Sequence, residues 1–371
     1  MTCYKPNFVR WQIKEREKKV RTPLHQCIAR GRAPPGLARM TWTDFVEWLD
    51  QNKVVLIAVT CTVVGVSGCL VGLRVWLQGP KCKSKARLDG KTVIITGSNT
   101  GIGKETARDL SRRGARLVML CRDLQKARVA AEEIHQETGN IVVVHHLDLA
   151  SLQSIRNTAE TLRDTEPNVH ILINNAGVMM CPRWETKDGF EMQLGTNHLG
   201  HFLLTMLLLD RLKASAPSRI VNVSSIAHTQ GRMHWEDLHF KESYDAKDSY
   251  CQSKLANLLF TRELAKRLQG TNVTTYALHP GVVQTELGRH IHQSVNGFIH
   301  WAFHFFGNFF FKTVTRGAQT TIYCAVDEPL ANQTGKYYSD CAEKQPHPLA
   351  LCDEDARRLW DLSVQLVGLE V

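Results

Sequence analysis

The stretch Lys91-Thr-Val-Ile-Ile-Thr-Gly-Ser-Asn-Thr-Gly-Ile-Gly103 constrains this chain more than any other: a β-branched run enters a glycine-rich turn, and helix-forming sequence opens at Lys104. Val93, Ile94 and Ile95 form a short continuous apolar run, as a parallel strand covered on both faces requires. Gly97, Gly101 and Gly103 let the backbone turn tightly and approach a ligand closely. The free amides and positive dipole end of the next helix then favour a diphosphate. The spacing is Gly-x-x-x-Gly-x-Gly rather than Gly-x-Gly-x-x-Gly. Strand, phosphate loop and helix are therefore expected here, with Ser98, Asn99, Thr100, Ile102 and Lys104 as the other loop residues facing the ligand.

Strand and helix signals alternate downstream at a βαβ rhythm. Strands are expected at 91–96, 116–121, 141–147, 169–174, 219–224 and 273–278, with a short one near 335–339. Asp123 can cap a helix over 124–137, and Ser151 one over 152–163. Right-handed crossovers turn this order into a Rossmann-type α/β fold with a doubly wound parallel sheet.

Upstream the character differs. Residues 1–91 hold 17 Lys/Arg against 6 Asp/Glu, leaving 29 against 30 in residues 92–371. The net charge of +10 thus belongs to the N-terminal flank, and no nucleic-acid partner is expected, because a duplex-binding domain carries its own basic face. Residues 1–53 are a polar, basic segment with the composition of a partly disordered tail. From Val54 to Leu73 no charge occurs in 20 residues, enough for a helix of about 30 Å, the thickness of a bilayer core. Residues 54–77 are therefore expected to be a transmembrane anchor, with Trp42, Trp48 and Trp76 near its ends and a basic linker at 78–87. Arg and Lys flank both sides, so orientation stays open. The 11 cysteines are scattered without Cys-x-x-Cys or Cys/His ligand spacing, which points to a reducing compartment and no metal site.

Four further motifs follow the glycine turn in order: Asn174-Asn-Ala-Gly177 at the fourth strand's end, Asn197 at a helix start, Ser224-Ser225 at the fifth strand's end, and Tyr250-Cys-Gln-Ser-Lys254 on a helix. Together they resemble the short-chain dehydrogenases/reductases over residues 88–345. Cys121-Arg-Asp123, Asn174 to Cys181, Asp188-Gly-Phe-Glu-Met192, His198 to Leu204, Ala216 to Ser225 and Ala356-Arg-Arg-Leu-Trp360 are similar to the membrane-anchored retinol dehydrogenases/retinal reductases within that family. A C-terminal helix is expected in 346–371.

Tyr250 and Lys254, four apart on a helix, share one face. An ammonium beside a phenol favours phenolate, so a lowered Tyr250 pKa and a general acid/base role are expected. The resemblance implies that Ser225 bonds the carbonyl oxygen, Lys254 also holds the nicotinamide ribose, and Asn197 supports a water-linked proton route. It further implies cofactor contacts from Asn175, Ala176, Gly177, Asp148, Pro280, Gly281 and Thr285, although Asp148 could equally cap a helix. At the end of the second strand, Cys121 stands where an NAD-preferring site places a carboxylate, and Arg122 follows. With Lys104 across the turn, two cations can converge on the extra phosphate of NADP(H). Between His290 and Phe311, Trp301, Phe305 and Phe306 belong to a crowded aromatic segment, either buried core or a lid over an apolar substrate.

The reading is an NADPH-dependent oxidoreductase interconverting retinal and retinol or related lipophilic aldehydes and alcohols. Its alternatives are a steroid or lipid-aldehyde reductase, a nucleotide-sugar epimerase, and a non-catalytic membrane scaffold. The resemblance implies a single-pass endoplasmic reticulum protein with its catalytic domain toward the cytosol, the mitochondrial inner membrane being second choice. Oligomeric state is not legible.

Overall fold

The computed structural model describes residues 41–283, 287–288 and 310–370. The chain divides at Gly72/Leu73 into two compact units. The first is dominated by helix α1 (Trp42–Leu77), which runs a few residues into the second. At 36 residues it extends the uncharged run at both ends, and it is long and apolar enough to cross a membrane. Thr41 starts it: its hydroxyl donates to Asp44 Oδ2 at 2.6 Å and accepts the Asp44 amide at 3.3 Å. None of its side chains is buried, so its Val and Leu residues are left for another apolar phase to cover.

The second unit is built on one sheet of eight strands in the order β3-β2-β1-β4-β5-β6-β7-β8. These are β1 (Thr92–Thr96), β2 (Arg116–Cys121), β3 (Val142–His146), β4 (Ile171–Asn174), β5 (Ser218–Val223), β6 (Val273–Leu278), β7 (Lys336–Ser339) and β8 (Ala342–Glu343). Every neighbouring pair is parallel except β7 with β8. The order reverses between β1 and β4, the switch point at which open α/β sheets bind ligands. All five β1 residues are buried, as their unbroken apolar run requires.

Helices cover both faces: α2 (Gly101–Arg112), α3 (Leu124–Thr138), α4 (Leu152–Thr165), α5 (Gly200–Ala214), α6 (Ala246–Arg267), α7 (Val314–Val326) and α8 (Asp353–Leu366). The two expected caps are made, Asp123 accepting the Lys126 amide and Ser151 that of Ser154. The C-terminal helix α8 is an integral part of this unit. Its Trp360 packs edge-on against Phe202 at 5.1 Å and is covered by the Arg267 guanidinium at 4.3 Å, so truncating it should cost about 3–5 kcal/mol. Ahead of α5 the chain makes a π-helical turn, Gly195–Leu199, where a plain helix start was expected. Such turns concentrate at functional sites, and this one carries Asn197.

Candidate active site

The glycine turn is braced from β4. Thr96 Oγ1 accepts the amides of Asn175 at 2.9 Å and Ala176 at 3.0 Å, while Asn175 Nδ2 donates to the carbonyls of Thr96 at 2.8 Å and Gly97 at 3.2 Å. Gly97 and Gly101 have φ of +64° and +57°, in the left-handed region that glycine tolerates. A methyl on Gly103 would stand 2.4 Å from the Gly97 carbonyl oxygen, so only glycine lets the helix begin this close to the turn. At the start of α2 the cap residue Thr100 makes no side-chain cap bond, which leaves the first amides of that helix for a ligand. The turn thus fits a dinucleotide diphosphate.

Several of the loop residues proposed as ligand contacts serve the fold with their side chains. Ser98 is fully buried, and its hydroxyl turns back to the Ile95 carbonyl at 3.1 Å and toward Cys121 Sγ at 3.8 Å. Ile102 packs on the core under β1, and Asn99 and Thr100 are half-buried. Lys104 is engaged away from Arg122 in this structure: its ammonium meets the Glu133 carboxylate on α3 at 2.5 Å. Arg122 is exposed at the end of β2 beside buried Cys121, and Asp123 is occupied as the α3 cap. Asp148 Oδ1 accepts the Ala150 amide at 3.1 Å, and its other oxygen pairs with Lys187 at 3.2 Å. The carboxylate is therefore held in a turn, and the helix cap that was its alternative role is taken by Ser151.

Across the switch point the catalytic candidates come together. Tyr250 and Lys254 lie on α6, buried, with the ammonium 5.7 Å from the centre of the phenol ring. The Ser225 hydroxyl lies close enough to the Tyr250 phenol to favour its ionised form. Ser225 is half-exposed at the end of β5, whereas Ser224 is buried with its hydroxyl donating to the Lys254 carbonyl at 2.7 Å. Ser224 thus fastens the helix, while Ser225, whose hydroxyl accepts the Ala227 amide at 3.2 Å, stays partly open.

Lys254 Nζ donates to the Val223 carbonyl at 3.2 Å, a bond that Asn257 Nδ2 shares at 3.3 Å. Asn197 is fully buried; its amide donates to the Val178 carbonyl at 2.9 Å and to Ser253 Oγ at 3.0 Å, and its oxygen accepts the Val178 amide at 2.9 Å. It clamps the chain beyond Gly177, and a methyl on Gly177 would stand 3.1 Å from Asn197 Oδ1 and 3.6 Å from Lys254 Nζ.

The protonation pattern differs from the expected one. Burial pushes the Tyr250 phenol up to about 12, only partly offset by the neighbouring Ser225 hydroxyl, and burial lowers the Lys254 ammonium to about 8. Desolvation is the largest influence on both groups. The Tyr250 phenol is consequently protonated at neutral pH.

Pro280 and Gly281 follow β6 in a turn. Gly281 has φ of +85°, and its amide donates to His279 Nδ1 at 3.0 Å. Thr285, Trp301, Phe305 and Phe306 lie outside the described residues.

One residue was missed. His201 is buried, and burial lowers it to about 4, so the ring is neutral. Nδ1 must donate to the Asn197 carbonyl at 3.0 Å, and Nε2 must accept from Thr96 Oγ1 at 2.9 Å. His201 therefore couples the glycine turn to Asn197. Its only trace in the sequence is a histidine four residues after Asn197 on an otherwise apolar helix.

A Rossmann-type sheet with a glycine turn at its switch point and a Ser, Tyr and Lys set beyond β5 defines a nicotinamide-dinucleotide oxidoreductase. The chain belongs to the short chain dehydrogenase family, whose model matches residues 91–296. It is 54% identical to retinol dehydrogenase 13 of Homo sapiens, over 82% of this chain and 93% of that protein. Among solved structures, a putative uncharacterized protein from Mycobacterium Paratuberculosis is 37% identical with a TM-score of 0.64, covering 79% of this chain and 98% of that one. The Pseudomonas aeruginosa RhlG/NADP active-site complex is 25% identical with a TM-score of 0.55, covering 68% and 94%.

Proposed function

We propose that this protein reduces lipophilic aldehydes of the retinal class to alcohols with NADPH, Tyr250 giving the proton. The observation that carries this reading is the burial of Tyr250 and Lys254 together on α6, the ammonium 5.7 Å from the centre of the phenol ring, with Ser225 beside them at the end of β5. The reduced nicotinamide, when bound, supplies the hydride. Ser225 donates a hydrogen bond to the substrate carbonyl oxygen and polarises it. As the carbon gains its new C–H bond the C=O π pair moves to oxygen, which takes the Tyr250 proton; the phenolate left behind is stabilised by the Lys254 charge. Lys254 also reaches the nicotinamide ribose. Asn197 holds Val178 and the chain beyond Gly177 in place, and through its neighbours it maintains the route by which Tyr250 is reprotonated.

An apolar substrate is supported by the exposed side chains flanking the site, Ile226 directly after Ser225 and Val282 directly after Gly281, and by the likeness to retinol dehydrogenase 13. The likeness to an NADP complex supports the cofactor, as does Arg122 exposed beside a strand end that lacks a carboxylate. We place α1 in the endoplasmic reticulum membrane with the catalytic domain toward the cytosol. Protease digestion of sealed microsomes should then remove the domain.

The test is to incubate the membrane-bound enzyme with all-trans-retinal and either NADPH or NADH and to quantify retinol. Efficient turnover with NADPH is expected. Absence of turnover with both cofactors would favour a non-catalytic scaffold, and turnover of a steroid ketone alone would move the substrate class.

A further inference from the structure

Between the end of α1 and β1 the chain crosses the surface of the second unit in extended form, and its exposure alternates residue by residue. Lys81, Lys83, Lys85 and Arg87 are exposed; Cys82, Ser84 and Ala86 are half-buried; Leu88 is buried. The inner residues are fixed. Cys82 and Ala86 pack on the core cluster under β1 and β2, the Cys82 amide donates to Gln319 Oε1 at 3.0 Å, and Arg113 donates to the carbonyls of Ser84 at 3.0 Å and Ala86 at 3.1 Å. The Leu88 amide closes the segment on the Arg113 carbonyl at 2.8 Å.

Because the inward set is pinned, the period of two forces the cations outward in one row, about 7 Å apart. Arg87 is neutralised by a two-bond pair with Asp89. Lys81, Lys83 and Lys85 have no ion-pair partner among the described residues. Three unpaired ammoniums held in line on a rigid backbone are an unusual use of surface. Long lysines ordinarily scatter with their own rotamer freedom, but here the backbone spacing is set by the packing beneath.

The position of the row names its partner. Lys81 is four residues after Leu77, the last residue of the helix long enough to span a bilayer, so an extended connection keeps it within about 15 Å of the helix end. We propose that Lys81, Lys83 and Lys85 form a docking edge for anionic phospholipid headgroups of the leaflet from which α1 emerges. Each lysine brought to such a surface contributes roughly fivefold to the bound population, about 1 kcal/mol. Three in line hold the domain against the membrane, where an apolar substrate is dissolved. This edge is independent of the catalytic reading and would stand if that reading failed.

The test uses the full-length protein in vesicles of phosphatidylcholine alone and of phosphatidylcholine with phosphatidylserine. Reductive methylation of individual lysines is followed by mass spectrometry, with exposed Lys126 on α3 as internal control. The expected result is that Lys81, Lys83 and Lys85 label at least about fivefold more slowly in the anionic vesicles, that Lys126 does not change, and that high salt, with a screening length of about 3 Å, abolishes the difference. A photoreactive phosphatidylserine should crosslink within 81–87 in the wild type and in the Lys81→Arg/Lys83→Arg/Lys85→Arg variant. It should fail to do so in the corresponding Gln variant, whose melting temperature is unchanged because no inward residue is altered. Equal labelling in neutral and anionic vesicles, or crosslinking retained in the Gln variant, would overturn the proposal. Slowing by an added acidic peptide but not by the anionic vesicles would assign the edge to a protein partner instead.

Discussion

On the β1 side of the switch point side chains bond back to the main chain and leave backbone amides open; on the β5 side main-chain carbonyls hold the helix, and the candidate groups Tyr250 and Lys254 are themselves buried side chains. Thr96, Ser98 and Asn175 all bond to main-chain groups at the ends of β1 and β4, and the α2 cap Thr100 leaves the first amides of α2 open. Beyond β5, by contrast, main-chain carbonyls of Val223 and Lys254 receive Lys254, Asn257 and Ser224, so that Tyr250 and Ser225 are presented at fixed positions. A diphosphate is bound well by repeated N–H donors, whereas proton transfer needs one group of defined pKa. The two walls should therefore break differently: the first by changes of shape, the second by changes of functional group.

The largest effect is expected on the second wall. Tyr250→Phe removes the proton donor while keeping the ring, and turnover should fall by about 10² to 10⁴ with cofactor affinity and melting temperature nearly unchanged. Unchanged turnover in steady-state assays would sink the assignment. The same wall makes a pH prediction. Tyr250, held near 12, stays protonated throughout the neutral range, so an alkaline limb of aldehyde reduction near pH 8 cannot be its titration. Lys254, lowered to about 8, is charged below that pH and loses its charge above it. Reduction should accordingly hold level up to about pH 8 and fall at higher pH as the positive charge that steadies the phenolate disappears. A kcat/KM profile whose alkaline limb lies near the ordinary tyrosine value would show that burial does not govern this pair.

On the first wall, Gly103→Ala is the sharpest change of shape, since its methyl would meet the Gly97 carbonyl at 2.4 Å and Asn175 Nδ2 at 2.5 Å. A backbone oxygen cannot step aside, so the turn must open. NADPH affinity, followed by nicotinamide fluorescence, should weaken roughly 10- to 100-fold for strain of about 1.5–3 kcal/mol. An affinity within twofold of wild type would mean that the turn is softer than its bracing implies.

The sequence made the frame legible because local chemistry specifies it. A continuous β-branched run gave β1, and Asp123 and Ser151 cap the helices whose starts they marked. The order of the catalytic motifs was legible for the same reason, each lying at a strand end or helix face. What escaped depends on partners far along the chain. Ser98 looks like a loop ligand until β2 brings Cys121 beside it, and Lys104 looks free until Glu133 arrives from 29 residues away. The direction of the Tyr250 shift was misjudged because residue spacing reports the neighbouring charge but not the depth of burial, which is the larger influence here. The π-helical turn at Asn197 carries no local signal that distinguishes it from an ordinary helix start.

Arg122→Ala should raise the Michaelis constant for NADPH about tenfold and leave that for NADH nearly unchanged, since only the 2′-phosphate would use this exposed guanidinium. Equal effects on both cofactors would show that Arg122 does not read the phosphate.

The smallest effect separates Arg122 from the second cation once assigned to the same task. Lys104 holds the Glu133 carboxyl below its usual range, and the pair is joined by Arg108, 3.8 Å from the same carboxylate oxygen. An ammonium already matched by a carboxylate offers little field to a phosphate, so Lys104→Ala should change NADPH affinity by no more than about threefold. Glu133→Gln tests the same point in the opposite direction: it removes the competing charge and leaves Lys104 on the first turn of α2 free to swing toward the cofactor. NADPH affinity should then rise by a small factor, about two- to threefold, with NADH unaffected and with the gain lost at high salt. A Lys104→Ala effect as large as that of Arg122→Ala, or no gain from Glu133→Gln, would mean that the ion pair opens when the cofactor binds and that both cations read the phosphate.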